Sequence, residues 1–285
     1  MTDYRVYDVF TSEAFGGNPL AVITDARGLA EDQLQRIARE FNFSETTFVF
    51  PPEDPAHTAR VRIFTPTTEI PFAGHPLIGT ATALHDLGRG SELVLEVGVG
   101  PIPCAIEEGE ARFTTSRPLV VDAHPDLADV AACGGLLAGQ IRTDRHLPVQ
   151  AGLGLPFVLA ELTDADALAA ISPDAEAFRR GAAAYPAELH FAVLYYVRDG
   201  AAVKARMFAP LDNIIEDPAT GSAAAALGAY LTQLEGQSLT LLIDQGVEMG
   251  RPSRIRVDTE VVDGLCRSVR ISGRAVKVME GRLTL

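Results

Sequence analysis

Two short stretches of this 285-residue chain repeat one another, and that repetition restricts the possible folds more than any other feature. The first is Arg62-Ile63-Phe64-Thr65-Pro66, followed by Glu69-Ile70-Pro71-Phe72-Ala73-Gly74-His75-Pro76. The second is Arg206-Met207-Phe208-Ala209-Pro210, followed by Glu216-Asp217-Pro218-Ala219-Thr220-Gly221-Ser222. Each reads R-x-F-x-P, a spacer, then E-x-P-x-x-G, and each runs into a small-residue helix. The spacer is longer in the second copy, as a loop insertion would make it. Neighbouring segments echo in the same order: Gly154-Leu155-Pro156-Phe157-Val158-Leu159 follows the pattern of Gly17-Asn18-Pro19-Leu20-Ala21-Val22. Matched elements at a nearly constant offset point to an internal duplication, and a period this long means two like domains rather than a solenoid. Related domains pack about a pseudo-twofold axis, so the equivalent loops are expected to face each other across one cleft.

Arg5 to Phe10 alternates as a first strand, and Leu29 to Phe41 has helical period. Phe43 to Phe50 and Ala59 to Phe64 read as strands. His75-Pro76 opens a helix to about Leu87, with proline placed at the first helical position, where its missing N–H costs nothing. Three strands then run to Thr114. The proline-dense stretch Ser116 to Asp126 marks a crossover. The expected domains are 1–117 and 118–278, with a last strand at about 279–285 joined to the first. In the second half, Ala165 to Arg180 reads as helical and His190 to Val197 as a strand. Thr220 to Leu234 reads as a helix, with later strands at Leu239–Ile243 and Arg254–Val257.

The formal net charge of −14, with no basic run, argues against nucleic acid or an anionic membrane surface as partner. Any anionic ligand must then be held by local devices. No apolar run approaches the roughly 20 residues of a membrane span, and the first residues lack a secretory pattern. Cys104, Cys133 and Cys266 lie far apart in unlike contexts, which predicts reduced thiols, a cytoplasmic location and no metal site.

The helix starts are where chemistry is expected. A helix N-terminus offers unpaired backbone N–H groups and partial positive charge. Gly74-His75 and Gly221-Ser222 each place a glycine there, where a ligand can approach the backbone closely. Ordinary capping by Thr220 and Ser222 is the alternative. Three titratable residues adjoin these elements: Glu45, at the polar start of an otherwise apolar strand, and His75 and Asp217 in the equivalent loops. Grouped around Phe64, Phe72 and Phe208, they could form a small acid–base set. The chain has no phosphate loop, dinucleotide fingerprint, nucleophile elbow or zinc spacing. Cofactor-free proton transfer is the remaining reading.

Asp8-Val9-Phe10 with Gly17-Asn18-Pro19, Ser44-Glu45-Thr46, Pro71 to Pro76, Glu216 to Ala223 and Gln245 to Ser253 resemble the PhzF-like phenazine-biosynthesis isomerase family. The resemblance covers nearly the whole chain. It implies an α+β fold of the diaminopimelate-epimerase-like type: two similar domains, each a barrel-like sheet around a central helix, usually in a homodimer. It implies Glu45 as acid/base, His75 and Asp217 as partners, and Ser222 as the ligand-holding serine, with no metal or cofactor. Ser44, Gly74 and Gly221 fall in the substrate-binding set, and Asn18 is expected to position Glu45 or the substrate. Related amino-acid epimerases use two cysteines, one before each loop glycine. Ala73 and Thr220 stand there in this chain, which excludes a two-thiol mechanism. The expected function is proton movement between carbons of a small carboxylate, resembling trans-2,3-dihydro-3-hydroxyanthranilate isomerase. The alternatives are an epimerase or isomerase of another small carboxylic or amino acid, and a non-catalytic metabolite-binding dimer.

Overall fold

Alternating apolar residues at the start of the chain form strand β1 (Thr2–Val9), which turns through glycine into β2 (Asn18–Ile23). The computed structural model describes residues 2–187 and 191–284, in two compact units. The first comprises Met1–Thr115 and Arg270–Leu285, and the second Ser116–Val269.

In the first unit, α1 (Glu31–Phe41) is amphipathic and buries Leu34, Ile37 and Ala38. It covers β3 (Glu45–Phe50) and β4 (Ala59–Phe64). A short β5 (Glu69–Ile70) leads into α2 (Gly74–Asp86), followed by β6 (Glu92–Val97), β7 (Gly100–Glu107) and β8 (Glu110–Thr115). Helix α2 is apolar around its whole circumference, the pattern of a helix enclosed on all sides. It packs on β1, β2, β3, β6, β7 and β8, and on the strand Ala275–Leu283. Gly79 makes this possible: a Cβ there would lie 2.5 Å from Leu20 and 2.8 Å from Val9.

The second unit begins with β9 (Val120–Ala123) and α3 (Leu127–Cys133), then β10 (Val149–Gly152), β11 (Pro156–Glu161), α4 (Ala165–Ala169) and α5 (Ala175–Ala184). β12 (Val193–Asp199), β13 (Ala202–Ala209) and β14 (Ile214–Asp217) lead to α6 (Gly221–Glu235), β15 (Thr240–Gln245) and β16 (Ser253–Val262). The strand expected from His190 starts at Val193; His190 itself lies outside the described residues. β17 (Leu265–Gly273) carries the chain back towards the first unit, and β18 (Ala275–Leu283) pairs antiparallel with β1.

The duplication is written into the strand pairing. In the first unit β2 runs parallel to β3, β3 antiparallel to β4, β4 antiparallel to β5 and parallel to β6, and β6 antiparallel to β7. In the second, β11, β12, β13, β14, β15 and β16 repeat that sequence of orientations step for step. Helix α6 is Ala-rich and buried from Ala223 to Thr232, the counterpart of α2. One expectation needs correction: α2 begins at Gly74, so Pro76 occupies its third position rather than its first. Proline is tolerated there for the same reason, because the first-turn N–H groups have no carbonyl to meet.

The repeated R-x-F…E pattern has a structural meaning. Residues two apart on a strand share a face. Arg62 therefore lies over the Phe64 ring, its guanidinium carbon 5.1 Å from the centroid, and Arg206 lies over Phe208 at 5.0 Å. Each arginine then forms a two-bond fork with the glutamate of its own hairpin: Arg62 with Glu69 at 2.8 and 2.6 Å, Arg206 with Glu216 at 2.8 Å twice. Arg62 also reaches Glu31 of α1, and Arg206 donates to the carbonyls of Leu168, Ala169 and Ile171 at the end of α4. The phenylalanines do not surround the titratable residues as expected. Phe64 packs with Ile23, Leu34, Ile37 and Phe48 under α1, and Phe208 with Phe178, Phe191 and Tyr195 under α5. Only Phe72, edge-on to Phe113, stays outside these clusters.

The two forks differ in burial. The side chains of Arg206 and Glu216 are 9% and 12% exposed, those of Arg62 and Glu69 19% and 41%. Removing one partner of a buried pair strands a charge. Glu216→Ala is expected to cost about 3 kcal/mol of stability and Glu69→Ala less than about 1 kcal/mol. Urea denaturation of the two variants checks this, and equal losses would contradict it.

Candidate functional site

The first unit gathers five of the candidate residues. Because β2 and β3 are parallel, with Leu20 beside Glu45, the polar starts of both strands lie together. Asn18 is fully buried and donates from Nδ2 towards His75 Nδ1 at 3.4 Å, while its Oδ1 accepts the Ser44 hydroxyl at 3.0 Å. Glu45 Oε2 lies 3.4 Å from the same His75 Nδ1. His75 sits in the first turn of α2 directly after Gly74, and the N-cap residue, Ala73, has no side chain able to cap. The Gly74 and His75 N–H groups thus have no capping oxygen.

His75 is 3% exposed, and burial pushes its imidazolium down to about 3. The ring is therefore neutral, and Glu45 Oε2 approaches its Nδ1 at 3.4 Å as neither an ion pair nor a hydrogen bond. Nδ1 faces a donor (the Asn18 amide) and an acceptor (the Glu45 carboxylate) at equal distance. The hydrogen bond formed is the one from Asn18, so Nδ1 accepts and the hydrogen of the neutral ring sits on Nε2. Nε2 of His75 is buried and has no hydrogen-bond partner among the described residues.

In the second unit Asp217 ends β14, and Gly221 and Ser222 open α6. Thr220 takes the N-cap position but makes no side-chain cap; its hydroxyl donates to Asp217 Oδ2 at 2.6 Å. Capping by Thr220 is therefore not what this residue does, and the helix start keeps uncommitted N–H groups at Gly221 and Ser222. Two residues to which sequence reasoning assigns no place in the site, Thr220 and Gln245, complete the arrangement. Gln245 Nε2 donates to the Asp217 carbonyl oxygen at 2.8 Å and to Thr220 Oγ1 at 3.0 Å, and Oε1 accepts from Thr220 N–H at 3.3 Å. The signal for Gln245 is its place at the head of the Gln245–Ser253 stretch, before a glycine at φ +74°.

Other candidate chemistry lies away from these residues. Cys104 and Cys133 are buried, which pushes both thiols up to about 12, and neither adjoins a helix start. Among the described residues no three His, Cys, Asp or Glu side chains gather as a metal ion needs. None of the described helices is long and apolar enough to cross a membrane. A cavity of about 690 Å³ in the first unit does not reach Glu45 or His75. Its charged groups satisfy one another: Arg60 with Glu53, Arg62 with Glu69, and His57 with Glu96.

The burial of His75 gives a pH signature. The unfolded chain protonates this ring near its ordinary value of 6.5, whereas the folded chain does so only near 3. Between those values the unfolded state binds more protons, so stability falls as pH falls. Replacing His75 with Gln is expected to flatten that slope by up to about 1.4 kcal/mol per pH unit between pH 6 and 4. Urea unfolding across this range measures it; an unchanged slope would show that His75 titrates alike in both states.

The family model for phenazine biosynthesis-like proteins matches residues 7–281. The chain is 41% identical to an uncharacterised isomerase of Mesorhizobium japonicum, over 99% of this chain and 98% of that one. It is 37% identical to the trans-2,3-dihydro-3-hydroxyanthranilate isomerase of Pseudomonas aeruginosa over the full length of both. Among solved structures, the PhzF-family phenazine biosynthesis protein of Bacillus anthracis superposes with a TM-score of 0.87 at 26% identity, covering 100% of this chain and 99% of that one. The duplicated strand order, the two buried helices and these full-length matches lead to one conclusion: the chain is an isomerase of the phenazine biosynthesis-like (PhzF) family, with its diaminopimelate-epimerase-like fold.

Proposed function

We propose that this isomerase moves a proton between carbons of a small, conjugated carboxylate by general acid–base catalysis, without a cofactor. The substrate class nearest to hand is a dihydro-hydroxyanthranilate, the kind of molecule named for the Pseudomonas aeruginosa relative. The observation that carries the reading is the Glu45–His75–Asn18–Ser44 cluster, in which a carboxylate shares a buried neutral imidazole with a fixed amide donor.

In this reading the Gly221 and Ser222 N–H groups hold the substrate carboxylate. Glu45 removes a proton from a ring carbon whose C–H bond is weakened by conjugation with that carboxylate. The electron pair delocalises through the π system onto the carboxylate oxygens, and Glu45 returns the proton to a second carbon on the same face. Atoms and electrons balance with no oxidant or metal. His75 Nε2 and Asp217 engage the substrate's hydroxyl or amino group and steady the developing charge. We place the working form in the cytoplasm as a homodimer.

Glu45→Gln keeps the shape of the side chain and loses the base. Turnover, and exchange of the substrate's ring hydrogen with heavy water, are expected to fall by about 10²- to 10⁴-fold. Affinity for a non-reacting analogue such as 3-hydroxyanthranilate should stay within about threefold. Proton NMR and calorimetry read the two quantities. Near-normal exchange in the variant would remove Glu45 from its role, and absence of exchange in the unmodified protein would favour a binding protein.

A further inference from the structure

The second unit holds a buried polar side chain for which the proposed reaction has no direct use. Gln245 ends β15, is 1% exposed, and commits every polar atom of its amide to the turn between Asp217 and Thr220. A carboxamide has two N–H bonds. One goes to the Asp217 carbonyl and the other to the Thr220 hydroxyl oxygen. That second bond fixes a direction. Because Thr220 Oγ1 already receives a hydrogen, its own hydrogen is turned towards Asp217 Oδ2, 2.6 Å away. The chain of bonds runs one way only: amide to hydroxyl to carboxylate.

The backbone on either side of this relay is equally constrained. Gly246 has φ +74°, and a Cβ there would lie 2.5 Å from the Arg251 carbonyl oxygen and 2.7 Å from that of Pro218. Gln245 is therefore pinned to the same turn that it bonds. Its Oε1 also occupies the Thr220 N–H, so the amides left at the start of α6 are those of Gly221, Ser222 and Ala223.

We propose that Gln245 is a positioning residue for the proton shift, acting through Thr220 to present Asp217 to the substrate in one fixed orientation. This rests on the reading in which Asp217 engages the substrate. The relay also decides which helix amides meet the substrate carboxylate, because the first is taken. Hydrogen bonds to charged groups in such sites are worth about 10- to 100-fold in an equilibrium or rate.

The test uses the full chain and three variants. Gln245→Met keeps length and bulk but has no donors. Thr220→Val keeps shape and breaks the relay, while Thr220→Ser restores it. For the reacting acid, kcat is expected to fall about 10- to 100-fold in Gln245→Met and Thr220→Val, with KM changing by less than about threefold. Thr220→Ser should stay near the unmodified protein, and the double variant Gln245→Met/Thr220→Val should be no worse than either single one. If Thr220→Val retains full kcat, the relay is not what matters and the proposal is overturned. The Val/Ser pair decides the matter even if Gln245→Met does not fold. If the unmodified protein turns over no small acid, the functional reading has failed. Gln245 is then judged by hydrogen exchange of the ligand-free chain: faster exchange over residues 217–222 in Thr220→Val and Gln245→Met supports the clamp, and unchanged exchange overturns it.

Discussion

Each of the two helix starts hangs on an arginine that touches no candidate catalytic residue. Arg62 and Arg206 bridge the strand before the loop to the glutamate after it, and each also ties that hairpin to an outer helix of its own unit. A guanidinium suits this task because it is planar and always charged, can fork onto a carboxylate, and can lie flat on an aromatic ring. Beyond the glutamate come a proline and then the glycine at the helix start, and both are thereby delivered at a fixed place and angle. The duplicated motif is a mounting bracket, and the chemistry is whatever each copy attaches to it.

The copies attach different things. In the first, the bracket delivers a histidine into a nest of Asn18, Ser44 and Glu45, which come from the starts of two parallel strands. In the second, the position after the glutamate is an aspartate and the residue before the glycine a threonine, and these two bond each other. Helix capping is given up in both: Ala73 has no oxygen to offer, and Thr220 spends its hydroxyl elsewhere. Uncapped helix starts sacrifice roughly 1 kcal/mol each, a cost with a plain rationale if the uncapped amides bind an anion.

Much of this is legible in the bare sequence, and the reasons are local. The strand and helix periods of β1 and α1 are set by side-chain alternation over a few residues, so sequence alone shows them; α2, apolar all round, is marked instead by the proline in its first turn. Glu45, His75 and Asp217 stand out because they adjoin the repeated loops and fall on the motifs that carry the family resemblance. The misreadings are of another kind. That Arg62 and Phe64 share a face is a matter of strand geometry, but whether that face looks to the central helix or to α1 is not; packing decides it, and it chose α1. Gln245 is harder still. Its partners lie 25 and 28 residues away, and a glutamine at a strand end looks like any solvated one until the turn it holds is folded against it.

The pairing of β1 with β18 has a consequence for how such a chain comes off the ribosome. Thr2 lies opposite Leu283 and Val9 opposite Ala275, so β1 meets this neighbour only after the whole second unit has been made. The second unit, Ser116–Val269, is contiguous and can close while that strand still waits with one edge bare. A lobe begun before its companion and finished after it is the one that needs shelter during biosynthesis, and its hydrogen-bonded seam sets after the second unit has closed.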